Sequence, residues 1–137
     1  MFFMKKEEQK ICIAFFKHIS TLQLLGKVER HCILHYPVGQ RGSNGKIQGA
    51  IDKAMGAIAG VPDYIVFYDG GVAWMECKTD KGRLSKKQKE FRDIVMSKGQ
   101  KYFVFRSIDE GIAILHSLGL VSSSVIMGKW NKDFVID

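Results

Sequence analysis

The chain has few cysteines and no long apolar run. Cys12, Cys32 and Cys77 form an odd, scattered set without CxxC spacing, which fits a reducing compartment where a buried thiol is a small apolar residue. No apolar run approaches the roughly 20 residues that a membrane span requires. The first residues, MFFMKKEE, lack the apolar core of a signal peptide. We therefore expect a cytoplasmic protein without membrane association.

The length of the chain indicates the number of domains, and its charge indicates the type of partner. A chain of 137 residues that is 46% hydrophobic is sufficient for one domain with a real core. Lysine and arginine number 21 against 14 acidic residues, a formal net charge of +7. An excess of this kind favours a polyanionic partner, nucleic acid first. Many soluble domains are basic without binding DNA, so the charge alone does not decide the function.

Apolar periodicity and capping residues predict alternating helices and strands. In chain order we expect a helix over 6–25, a strand over 28–36, a loop over 38–46, a helix over 47–59, a hairpin over 64–77, a helix over 85–98, a strand over 101–106 and a helix over 107–118. An additional edge strand at 124–127 or 134–136 is left open. This order predicts an α/β protein with a mixed central sheet flanked by helices.

The hairpin carries the most informative residues. Two apolar segments, YIVFY and VAWM, flank an Asp69-Gly70 turn. If the turn has two residues, Asp63 lies opposite Glu76 with the Cβ atoms roughly 5 Å apart. Lys78 then shares a face with Glu76. A three-residue turn would shift the register by one and make the pairing diagonal.

Two carboxylates and an amine at one point allow two interpretations. Like charges this close are costly unless a cation binds them, which favours a site for a hard divalent metal. An exposed pair across two strands would need no metal and catalyse nothing. The carboxylates interrupt otherwise apolar strands, which argues against a plain solvated face, but spacing alone leaves both interpretations open.

The following helix presents two more alternatives. Gln88 interrupts an apolar stripe, which suggests a place near the site, yet Ser85-x-x-Gln88 is also a capping box. The basic residues of this segment form either a solvated face or a surface for phosphates. They are Lys78, Lys81, Arg83, Lys86, Lys87, Lys89, Arg92, Lys98 and Lys101. His31 and His35 lie on one face if 28–36 is a strand, and we expect a structural role for them before a DNA contact.

Four segments together resemble the virus-type replication-repair nuclease (VRR-NUC) domain of the PD-(D/E)XK nuclease superfamily. They are Gly60-Val61-Pro62-Asp63, Glu76-Cys77-Lys78, the run KGRLSKKQ at 81–88, and FVFRS at 103–107. The resemblance implies a restriction-endonuclease-like fold, with a single nuclease domain over 1–120. Residues 121–137 would be a C-terminal extension of uncertain role.

The resemblance also implies roles for individual residues. Asp63 and Glu76 would bind the metal together with the backbone carbonyl of Cys77, and Lys78 would orient the attacking water and stabilise charge on the phosphate. Gln88 would lie at the edge of the site. The first helix would add an acidic ligand, Glu7 or Glu8, and Glu8 is favoured because it shares a face with Ile11 and Phe15. The residues expected to contact DNA are Lys81, Arg83, Lys86, Lys87 and Arg41.

The activity so implied is that of a Mg²⁺- or Mn²⁺-dependent DNA endonuclease. We expect selection of branched DNA, such as a four-way junction or a flap, by a homodimer with two sites on opposed strands. Phage origin is suggested by the family only. The alternatives are a DNA-binding protein that cuts nothing, and an RNA-processing or restriction-type nuclease of the same superfamily.

Overall fold

The computed structural model describes residues 6–36 and 45–122. The elements within these ranges are α1 (Lys6–Leu24), β1 (Ile33–His35), α2 (Gly45–Ala54), β2 (Tyr64–Tyr68), β3 (Gly71–Cys77), α3 (Lys86–Ser97), β4 (Lys101–Phe105) and α4 (Ile108–Ser117). None of these helices combines the length and the apolar character needed to cross a bilayer.

The four strands form one mixed sheet in the order β1-β2-β3-β4. The first two pairings are antiparallel, whereas β3 and β4 run parallel. Tyr68 pairs with Gly71 across the Asp69-Gly70 turn, so the hairpin has the two-residue turn. A parallel neighbour requires a crossover, which α3 supplies. The mixed sheet with flanking helices confirms the predicted fold class.

The two faces of β3 have different surroundings. Ala73, Met75 and Cys77 are fully buried on one face, within the core to which α1 and α4 contribute. Phe15 of α1 anchors that core, with its ring 4.8 Å from the ring of Phe105. On the opposite face, Trp74 meets Phe91 of α3 at 4.9 Å. Because side chains alternate along a strand, Glu76 lies on the same face as Trp74, towards α3.

The sequence-based boundaries were wrong at two elements. β1 covers only three residues of the expected 28–36, because His31 has a positive φ of 71° and the chain turns there. α2 begins at Gly45 and ends at Ala54, earlier than the expected 47–59. Gly56, with φ of 107°, follows its end and directs the chain away from the helix.

The predicted N-caps of the last two helices can be checked in the structure, whereas several other predicted segments cannot. The expected start of α3 is confirmed, since Ser85 is its N-cap, and Ser107 likewise caps α4. Arg41, most of the loop predicted over 38–46 and both candidate edge strands lie outside the described residues, as does nearly all of the expected C-terminal extension.

Candidate functional site

Asp63 is held from two sides at the start of β2. Its Oδ2 accepts the backbone N–H of Cys77 at 2.8 Å. Its carbonyl oxygen accepts the backbone N–H of Tyr36 at 2.8 Å, and Nδ1 of His35 donates to the same oxygen at 2.9 Å. The carboxylate is therefore fixed to β3, while β1 fixes the main chain. His35 has the structural role expected of it, whereas His31 lies in a turn outside the strand.

Glu76 and Lys78 are buried at the end of β3. Their residues are 4% and 8% exposed, and Lys78 Nζ lies 3.7 Å from Glu76 Oε2. The pairing of Tyr64 with Met75 continues to place Asp63 opposite Glu76. The backbone N–H of Lys78 donates to Phe105 O at 3.0 Å, which ties this end of β3 to β4. Burial shows that the interpretation as an exposed cross-strand pair was wrong.

Gln88 fulfils both of its alternative interpretations at once. Its Nε2 donates to Glu76 Oε2 at 2.9 Å, while its Oε1 accepts the backbone N–H of Ser85 at 2.8 Å. The hydroxyl of Ser85 in turn accepts the backbone N–H of Gln88 at 3.2 Å. One amide thus completes the capping box of α3 and contacts the buried carboxylate. The first turn of α3 is thereby tied directly to β3.

The electrostatics of the site disfavour two ionised carboxylates. Desolvation raises the pKa of Asp63 to about 6 and that of Glu76 to about 8. The negative charge of Asp63 further raises the pKa of Glu76, whereas Lys78 lowers the pKa values of both. Burial and like charge therefore favour a bound proton or cation here.

Glu8 approaches this site and Glu7 does not. Glu8 is 6% exposed at the start of α1, and its backbone oxygen accepts the Cys77 thiol at 3.6 Å. Its negative charge raises the pKa values of Asp63 and Glu76, whereas Glu7 is exposed. Across the described part of the chain, no three His, Cys, Asp or Glu residues group closely enough to hold a metal by side chains alone. The centre is thus a pair of carboxylates with Glu8 nearby.

The basic residues expected near the site are exposed around the start of α3. Lys86 and Lys87 lie in its first turn, and Lys81 and Arg83 precede it. Lys87 makes a surface ion pair with Glu90 at 3.6 Å. Such exposed pairs are weak and do not prevent the lysine from meeting a phosphate. Lys86 and Lys87 directly precede Gln88, whose amide contacts Glu76, and Lys81 and Arg83 lie a few residues earlier in the chain.

Gly60 has a positioning role that sequence reasoning did not assign. Its φ is 90°, and a Cβ built there would lie 2.4 Å from the carbonyl oxygen of Lys87. A side chain at this position would push against the first turn of α3, which carries Gln88. Gly60 begins the Gly60-Val61-Pro62-Asp63 segment, but nothing in the neighbouring sequence indicates that it lies against the backbone of Lys87.

Comparison with known proteins agrees with this architecture. No family model matches the sequence, and no curated protein matches it. A solved structure described as a "VRR_NUC domain protein" superposes with a TM-score of 0.60 at 19% identity, covering 88% of this chain and 94% of that one. At this identity the likeness concerns the fold. The mixed sheet, its flanking helices and this structural likeness together confirm that the chain has the VRR-NUC fold.

Proposed function

We propose that this protein is a metal-dependent nuclease that hydrolyses phosphodiester bonds in DNA. The observation that carries the proposal is the pairing of the half-buried Asp63 with the buried Glu76, with the buried Lys78 beside them. The similar solved structure is named for a nuclease domain, which supports the same activity. The raised pKa values of Asp63 and Glu76 also support the proposal, because perturbed carboxyl pKa values are common at functional sites.

The residues fit a hard divalent cation. Asp63 and Glu76 supply carboxylate oxygens whose mutual repulsion a cation would relieve. The N–H of Cys77 faces Asp63, and in a ladder the C=O of the same residue points to the same side, so its carbonyl would complete the set. Oxygen ligands of this kind suit Mg²⁺ or Mn²⁺. When bound, such an ion makes water a better nucleophile and neutralises charge at the phosphate.

The chain's own residues would do the remaining work. Lys78 would donate to a phosphate oxygen or orient the attacking water, since its ammonium group is already held beside Glu76. Gln88 would keep the Glu76 carboxylate in one orientation through its 2.9 Å hydrogen bond. Glu8 is proposed as a further acidic ligand, because it is buried and its charge raises the pKa values of both Asp63 and Glu76.

The DNA backbone would bind at the cations around the start of α3. Phosphate contacts hold DNA irrespective of sequence, so selectivity would follow the shape of the substrate. We propose branched DNA as that substrate, cut by a dimer that places its two sites on opposed strands. Arg41 is proposed as a further DNA contact on the basis of its sequence position.

The decisive experiment is a cleavage assay at low salt with Mg²⁺ or Mn²⁺. Labelled four-way junction, flap, plain duplex, single strand and an RNA duplex are offered to the wild type and to Asp63→Asn. Asp69→Asn is the matched control, since it makes the same change at an exposed turn. We expect metal-dependent cutting of branched DNA, lost in Asp63→Asn and kept in Asp69→Asn. DNA binding by a folded wild type without cutting would contradict the enzyme and leave a DNA-binding protein.

A further inference from the structure

Arg106 lies where the two parallel strands end together. It follows β4 directly, and Lys78 follows β3, with the Lys78 N–H donating to the carbonyl of Phe105 at 3.0 Å. Because β3 and β4 are parallel, both residues follow the carboxyl ends of their strands and lie at the same end of the sheet. Arg106 is itself anchored, since its backbone N–H donates to Glu110 Oε1 at 2.8 Å.

The guanidinium of Arg106 contacts main-chain carbonyls instead of a carboxylate. Its Nη1 donates to the carbonyl oxygen of Thr79, to that of Gly82 at 2.8 Å, and at 3.5 Å to that of Asp80. These acceptors belong to residues 79–83, which we term the basic turn because it carries Lys81 and Arg83. Hydrogen bonds from a charged donor are stronger than neutral ones, so the two N–H groups of Nη1 hold the carbonyls of Thr79 and Gly82, with that of Asp80 at the edge of hydrogen-bond range.

The basic turn is also tight. The Gly82 N–H donates to Thr79 O at 3.0 Å, which closes the turn. A Cβ at Gly82 would lie 3.1 Å from Thr79 Oγ1 and 3.4 Å from Lys78 Cβ. Gly82 thus lies close to both Thr79 and Lys78, and the turn leaves little room for a side chain at its closing residue. Its two cations, in contrast, extend into solvent.

We propose that Arg106 is a positioning residue that holds the basic turn against the end of β3. By this means it keeps Lys81 and Arg83 in a fixed relation to Lys78 and Glu76. The consequence for DNA rests on the proposed nuclease function: backbone phosphates would meet an ordered pair of cations instead of a mobile loop. The hold of Arg106 on the basic turn, which we term the clamp, is a property of the fold and can be tested without DNA.

The first test is limited proteolysis with trypsin, which cleaves after Lys81 and Arg83. Arg106→Met keeps the apolar stem but removes the donors, and Arg106→Lys keeps a cationic donor. Arg92→Met is the matched control, because within residues 6–36 and 45–122 the guanidinium of Arg92 makes a hydrogen bond or ion pair only with its neighbour Asp93. At a temperature where all are folded, we expect cleavage in the basic turn to be at least about tenfold faster in Arg106→Met, since local opening governs access. Arg106→Lys should recover part of the protection.

Equal cleavage rates in folded wild type and Arg106→Met would overturn the proposal. If Arg106→Met does not fold, Arg106→Lys decides the question. Faster cleavage in the basic turn than in the wild type would support the proposal, and an unchanged rate would overturn it. The second test measures KM and kcat on the DNA that the wild type cuts. A raised KM in Arg106→Lys, which keeps the charge, reports misplacement rather than lost charge. An inactive wild type would contradict the proposed function. The proteolysis result would still show whether Arg106 holds the basic turn in place.

Discussion

The side-chain amide of Gln88 links the cap of α3 to the buried carboxylate of Glu76. Its oxygen accepts from Ser85 N at 2.8 Å and its nitrogen donates to Glu76 Oε2 at 2.9 Å. A helix cap and a site contact are thus one structural unit, and a change at Gln88 affects both. Substitution of its partners one at a time separates the two contributions.

The first prediction concerns Gln88→Met, which keeps the side-chain volume and removes both hydrogen bonds. We expect kcat to fall by about tenfold or more, because the Glu76 carboxylate loses its orienting donor. Ser85→Ala is the control: it loses a cap worth about 1 kcal/mol but leaves the Gln88–Glu76 bond in place. Thermal melting and single-turnover cleavage of both variants check this. Equal loss of cleavage in the two variants would show that the cap alone matters.

The second prediction concerns the pH dependence of stability without metal. Asp63 and Glu76 have folded pKa values of about 6 and about 8, raised from 3.8 and 4.5, mainly by desolvation. The folded state therefore binds protons more tightly than the unfolded state. The stability this provides is complete below the unfolded pKa values and is lost as pH rises through about 6 and then about 8.

We therefore expect the Tm in EDTA to fall by several degrees between pH 5 and pH 8.5. Glu76→Gln should flatten the fall, since it removes the group with the higher pKa, whereas Glu90→Gln at an exposed position should leave it unchanged. Added Mn²⁺ should raise the Tm most at high pH, where the carboxylates can ionise. A Glu76→Gln profile parallel to that of the wild type would contradict this origin of the pH dependence.

The third prediction concerns Gly60→Ala. The positive φ and a Cβ only 2.4 Å from Lys87 O should make this change costly, on the order of 3 kcal/mol, and should shift the first turn of α3. Gly99→Ala is the control, because its φ is 83° but nothing lies within 4 Å of the added Cβ. Denaturant unfolding of the two variants compares backbone strain alone with strain plus the clash. Equal destabilisation would show that the helix accommodates the methyl group.

The fourth prediction concerns the cations around the start of α3. Lys86→Ala should weaken DNA binding and reduce the slope of log K against log salt by about 0.9 if the residue meets one phosphate of a duplex. Lys17→Ala, at an exposed position of α1, is the control and should change neither quantity. Binding titrations at three salt concentrations measure both. An unchanged slope in Lys86→Ala, with the slope of Lys17→Ala reduced, would place the DNA on another surface.

Short-range patterns predicted most of the elements and the centre of the site. The Asp69-Gly70 turn set the hairpin register, which placed Asp63 opposite Glu76. The boundaries of β1 and α2 were wrong because the positive φ of His31 and of Gly56 has no reliable signature in a single sequence. The choice between Glu7 and Glu8 also required the structure, since both lie in the first turn of one helix.

The sequence by itself determined the caps, the hairpin and the residues of the carboxylate pair, because each depends on neighbours a few positions apart or on one turn. Only the tertiary structure decided that Glu76 is buried under α3, that Gly60 touches Lys87, and that Arg106 holds the basic turn. Arg106, for example, is 27 positions from Thr79 and 24 from Gly82, the residues whose carbonyls it holds. Their geometry depends on how helices and strands pack together, which no local pattern encodes.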